Sequence, residues 1–148
     1  MRKPSIEDRK PGTPQRLWVV LLSFCAVFLL SGCLLISGPV ESTDNTPEGG
    51  NVYVGFVSAE GVETRVVQTP FVSQRLAITV FARNERGQMR IEILDENGSV
   101  AFSIEGQAQD QTRPGVVETN AVGEFRYRVR ATGAQRGEFQ ILYQPTNG

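Results

Sequence analysis

Cysteine and arginine are the two residue types whose placement in this sequence points to chemistry. Cys25 and Cys33 are the only thiols among 148 residues. A thiolate is a nucleophile and a soft-metal ligand. Nothing after Cys33 can pair with it, so residues 34–148 hold no disulfide scaffold, no cysteine-ligated zinc site and no thiol nucleophile. Arg126, Arg128 and Arg130 alternate along one short segment. On a strand that spacing puts all three on one face, where their forked donors suit a phosphate or carboxylate. They form a candidate anion or partner patch, with Glu92 and Glu138 as acids able to neutralise it across a sheet.

The missing residues matter as much. Histidine is absent, which removes the commonest general base and transition-metal ligand. Both lysines, Lys3 and Lys10, precede the apolar run, and no Gly-x-Ser-x-Gly elbow occurs. We therefore expect no enzyme activity, no catalytic residue, no cofactor and no metal. Asp95, Asn97 and Gly98 look like a fragment of a calcium loop. The ligand number falls short, and Asn-Gly is better read as a hairpin turn.

The elements around Cys33 explain its place. Arg2, Lys3, Arg9, Lys10 and Arg16 form a basic start, followed by the apolar segment Leu17–Leu30. That is the length of a signal-peptide core and is short for about 30 Å of hydrocarbon. The quartet Leu30-Ser31-Gly32-Cys33 resembles the lipobox of bacterial lipoproteins. The resemblance implies a diacylglyceryl thioether on Cys33 and cleavage after Gly32, with Leu30, Ser31 and Gly32 as the signal-peptidase recognition residues. It makes residues 1–32 a signal peptide and the membrane a partner through a lipid anchor. The expected location is extracytoplasmic, on the outer face of the cell membrane or on an outer membrane. The alternative is an uncleaved membrane helix over Leu17–Ile36, which would leave the domain on the same side.

Residues 33–51 read as the lipidated cysteine and a flexible tether rich in Ser, Thr, Pro and Gly, with a reach of about 20 Å. From Val52 the pattern is β. Strands are expected at about 52–58, 63–69, 75–83, 88–95, 99–105, 115–120, 123–132 and 137–144. Glycine-containing connections of hairpin length separate them at 59–61, 84–87, 95–98 and 133–137. Leu76–Ala82 is apolar on both faces, as a central strand would be. The fold class expected is all-β, an antiparallel, jelly-roll-like β-sandwich of about eight strands over 52–145 after a signal helix. Phe56, Phe71, Phe81, Phe102, Phe125 and Phe139 are expected to share its core.

The runs Ile93–Val100, Gly123–Val129 and Gly137–Ile141 resemble bacterial pre-peptidase C-terminal domains and similar secreted sandwiches. That resemblance implies the fold more than a function. Residues 33–148 hold ten arginines and fourteen acids, so nucleic acid is not an expected partner. The leading expectation is a lipid-anchored, non-catalytic sandwich that binds or scaffolds another envelope protein. The alternative is a polysaccharide- or small-ligand-binding module; a hydrolase is the least favoured. The only tryptophan, Trp18, precedes Cys33, and of Tyr53, Tyr127 and Tyr143 parity sends Tyr127 to the core, which weakens the sugar reading.

Overall fold

Alternating apolar residues build three very long strands, and these three make the frame. The computed structural model describes residues 33–146; the basic start, the apolar run and Leu30-Ser31-Gly32 lie outside the described residues. The strands are β1 (Leu35–Ser37), β2 (Val40–Thr46), β3 (Gly49–Gln68), β4 (Arg75–Leu94), β5 (Val100–Gly106), β6 (Gln111–Glu118) and β7 (Glu124–Pro145). All pair antiparallel in one sheet, β7 lying between β3 and β4 along their whole length. Among the described residues there is no helix.

Three of the expected hairpins are corners, which merges the eight expected strands into five, and β1 and β2, which were not expected, bring the count to seven. Residues 59–61, 84–87 and 133–137 lie inside β3, β4 and β7. Pairing shifts register between Ala59 and Gly61 and between Arg86 and Gln88, the mark of β-bulges that bend a strand. Gly87 sits at φ 74°, and a Cβ on it would stand 2.1 Å from the Gly133 carbonyl oxygen. Only glycine fits there, in conformation and in space. Of the four connections, 95–98 is a true hairpin, closed by Asp95 Oδ1 accepting from the Asn97 and Ser99 amides.

The bend folds the sheet onto itself and makes two layers. Layer A holds the first half of β3, the first half of β4 and the last half of β7, flanked by β2 and β6. Layer B holds the remaining halves of those strands, flanked by β5. Val54, Ile78, Val80 and Ile141 from layer A and Ile91, Ile93 and Val129 from layer B are buried in one cluster. Two aromatic pairs link halves of β7 across it: Phe125 meets Tyr143 edge-on at 5.3 Å, and Tyr127 meets Phe139 at 5.8 Å. Arg65 in layer B also reaches Glu41 on β2 at 2.9 Å, closing the open side.

At the corner, Asn84 is buried and donates to the carbonyls of Arg86 and Gly87 at 2.9 and 3.1 Å. These bonds hold the backbone of the turn. Asn84→Ala is expected to cost about 1.5 kcal/mol, read from the urea midpoint, because two carbonyls of the corner lose their donor and the buried amide leaves a void.

Two expectations about the beginning of the domain are corrected. The flexible tether over 33–51 is largely strand: β1 pairs with Ser58–Glu60 and β2 with Gly49–Gly55. Every side chain of β2 is exposed, so its composition carries no hydrophobic period; backbone pairing orders it, with side-chain bonds from Glu41 and Asn45. Leu34 and Ile36 pack against the core. That withdraws them from the stretch Leu17–Ile36 considered for a membrane helix. The domain therefore starts at β1, not at Val52.

Candidate functional site

The outer face of layer A carries an aromatic and polar row that the folding of β7 creates. On β3, Val52, Val54 and Phe56 turn inward, so Tyr53 turns outward. On β4, Leu76, Ile78, Val80 and Ala82 turn inward, so Phe81 turns outward. Register sets Ser42, Tyr53, Gln140, Phe81 and Thr112 side by side across five strands. Tyr53 and Phe81 thus flank Gln140 at about 10 Å from each other, two strand spacings. Both rings are half-buried.

The row is held in place. Tyr53 Oη donates to Glu138 Oε2 at 2.8 Å, and Gln140 Nε2 donates to Asn51 Oδ1 at 2.9 Å. The Glu138 bond, with a smaller contribution from burial and from the carboxylate's charge, pushes the Tyr53 phenol above its ordinary pKa. The hydroxyl stays protonated. Gly55 makes room for the ring: a Cβ there would lie 3.0 Å from Tyr53 Oη and 3.5 Å from Cζ. Arg83 and Asp110 complete the rim of a cavity of about 220 Å³ beside Tyr53, Phe81 and Gln140. Aromatic faces and fixed amide, carboxylate and guanidinium groups are what a small polar ligand with apolar C–H faces needs.

The outer face of layer B is different in chemistry. Arg126, Arg128 and Arg130 on β7 lie opposite Leu94, Glu92 and Arg90 on β4. Glu92 is only 5% exposed. Its carboxylate meets Arg128 Nη1 and Arg130 Nε at 3.2 Å and Arg90 Nε at 3.3 Å. One acid therefore gathers three guanidiniums. Arg128 also donates to Thr64 at 3.3 Å, Arg90 to Ser103 at 2.9 Å, and Arg90 lies 3.7 Å from Glu105. Arg126 is exposed and has no ion partner among the described residues. A cavity of about 380 Å³ opens beside Arg90, Arg130 and Gln88.

No family model and no curated protein sequence matches the chain. Among solved structures it is similar to a CBM4 carbohydrate-binding module, at 12% identity and a TM-score of 0.40, over 75% of this chain and 80% of that one. It is similar to the C-terminal CBM6 of LamC, a marine laminarinase from Zobellia galactanivorans, at 13% identity and 0.41, over 76% and 99%. It is also similar to a protein of Bacillus endospore appendages, which form disulfide-linked pili, at 13% identity and 0.44, over 79% and 97%.

The structure sorts the residues singled out from sequence. Arg126, Arg128 and Arg130 do share an outer face, and Glu92 is the acid of Arg128 and Arg130 but not of Arg126. Glu138 is not, since it lies in the other layer and holds Tyr53. Asp95 is occupied by its own turn. Among the described residues no cluster of acids and cysteine is arranged to hold a metal. Cys33 is exposed at the start of the domain. Phe81 leaves the expected core group for the outer face, whereas Phe56, Phe71, Phe125 and Phe139 are buried and Phe102 packs against them. Tyr53 and Phe81 were not picked out as a site. Parity alone turns each outward, but their adjacency depends on β7 lying between them.

Proposed function

We propose that this chain is a membrane-anchored, non-catalytic β-sandwich that binds a polysaccharide on the outer face of layer A. The observation that carries this reading is the row Tyr53–Gln140–Phe81. The C–H face of a sugar ring stacks on an aromatic ring, while its hydroxyls pair with fixed amides and carboxylates. The row supplies both, and its length matches a short run of sugar rings. The anchor part rests on the sequence Leu30-Ser31-Gly32-Cys33 and on the exposure of Cys33 at the domain's edge.

Affinity electrophoresis of the full chain in gels containing soluble β-glucan, xylan or mannan tests the binding part. Retardation by at least one polymer is expected. Tyr53→Ala and Phe81→Ala should each weaken it about tenfold, a loss of about 1.4 kcal/mol. Retardation by none of the polymers, or retardation that survives both substitutions, would sink the reading. A second reading, strand addition by another envelope protein, is favoured by the outer edge of β2, which pairs with no strand among the described residues. An envelope protein captured equally by the wild type and by Tyr53→Ala would point to that edge instead.

A further inference from the structure

We propose that the arginine face of layer B lies against an anionic phospholipid surface, so that the aromatic row of layer A points away from the membrane. This rests on the anchor reading above and adds the orientation it would impose. The first observation is the short distance between the anchor and the sheet. Only Leu34 separates Cys33 from β1, so no tether lifts the domain from a lipid attached there.

The second observation is the side on which Cys33 lies. Leu34 and Ile36 pack against the core, and Cys33 and Leu35 are exposed. By alternation the latter two turn to the outer face. Leu35 pairs with Glu60, and continuing that register sets Cys33 opposite Val62. Val62 pairs with Arg130, and Arg130 with Arg90. Cys33, Val62, Arg130 and Arg90 therefore form one row, with Arg90 about 15 Å from the cysteine at ordinary strand spacing.

The third observation is the chemistry of that face. Leu35 is 71% exposed beside Cys33, a placement suited to the acyl boundary. Arg130 and Arg90 stand directly opposite each other, a repulsive pairing that Glu92 holds together from beneath. Glu60 and Glu124 lie at the margins, the Glu60 carboxylate already accepts from the Gly133 amide, and Glu105 ends the row beside Arg90, 3.7 Å from it. Arg126, Arg128 and Arg130 on β7 and Arg90 on β4 bring four guanidiniums to this face, which phosphodiester headgroups complement.

Arginine footprinting with phenylglyoxal, read by mass spectrometry, tests this on the full chain extracted from bacterial membranes. The protein is placed in nanodiscs of phosphatidylcholine alone or with phosphatidylglycerol. Arg83 on the opposite face is an internal reference, since its side-chain exposure of 44% matches the 45% of Arg90 and 47% of Arg130. Modification of Arg90 and Arg130 should slow about fivefold in the phosphatidylglycerol discs, as about 1 kcal/mol per arginine near an anionic surface implies. Arg83 should not change. Equal rates in both discs, or slowing at Arg83, would overturn the docking. So would the same slowing by inorganic phosphate without a bilayer, which would make the face a small-anion site. The mass of the peptide beginning at Cys33 separates the two readings. Acyl chains with unprotected arginines overturn the docking alone, whereas a bare Cys33 removes the anchor and the docking together.

Discussion

Phe139→Ala is expected to lower the melting temperature by about 20 °C, the largest loss from any single substitution considered. Phe139 is 2% exposed and among the largest fully buried side chains. Truncating a buried phenylalanine typically costs 3–5 kcal/mol, because the transfer energy is lost and a cavity remains. For a domain of this size each kcal/mol is worth roughly 5 °C. The position adds a second effect. Phe139 meets Tyr127 across the fold of β7, so its removal loosens the contact that keeps the two layers together. It also sits between Glu138 and Gln140, the two residues that organise the aromatic row. Thermal unfolding followed by circular dichroism checks the stability. Phe139→Leu, which keeps most of the volume, should recover more than half of the loss. If Phe139→Ala melts within a few degrees of the wild type, the two-layer core is wrongly described.

The second large effect is expected at Glu92. Glu92→Ala should cost about 2 kcal/mol in urea unfolding at low salt. Removing one partner of a buried ion pair costs 3–5 kcal/mol when the remaining charge is trapped. Here the arginine side chains keep between 25% and 47% exposure, so water repays part of the loss. What remains is repulsion among Arg90, Arg128 and Arg130, which the carboxylate no longer offsets. Repulsion between partly exposed charges is screened by salt. The loss should therefore shrink by about half between low and molar salt. A loss that salt leaves unchanged would mean that Glu92 acts through packing and not through charge.

These two positions show how far the sequence could be read. The alternation in Phe125–Arg130 set Phe125, Tyr127 and Val129 inward and the arginines outward, and the structure agrees. The same parity was available at Tyr53 and Phe81. It went unused at Phe81 because Leu76–Ala82 is apolar on both sides, and an aromatic in such a run reads as core. β2 was missed for the opposite reason. An edge strand with every side chain exposed has no hydrophobic period, and its order comes mainly from backbone bonds to β3 and from polar contacts such as Arg65–Glu41.

Composition and local pattern were enough to establish an antiparallel all-β domain, the faces of strands that alternate cleanly, such as Phe125–Arg130, and Cys33 as the one thiol at the domain's start. The pairing partners needed the tertiary structure. A glycine-rich turn signal is the same at a hairpin and at a corner; what separates them is whether the neighbouring strand turns too. At 59–61, 84–87 and 133–137 three adjacent strands bend together, so the chain continues where the sequence suggested it would reverse. That common bend is what lays Tyr53, Gln140 and Phe81 in one row on one face and Arg90, Arg130 and Cys33 in another. Period two fixes the side of a strand, but only long-range pairing fixes the neighbour.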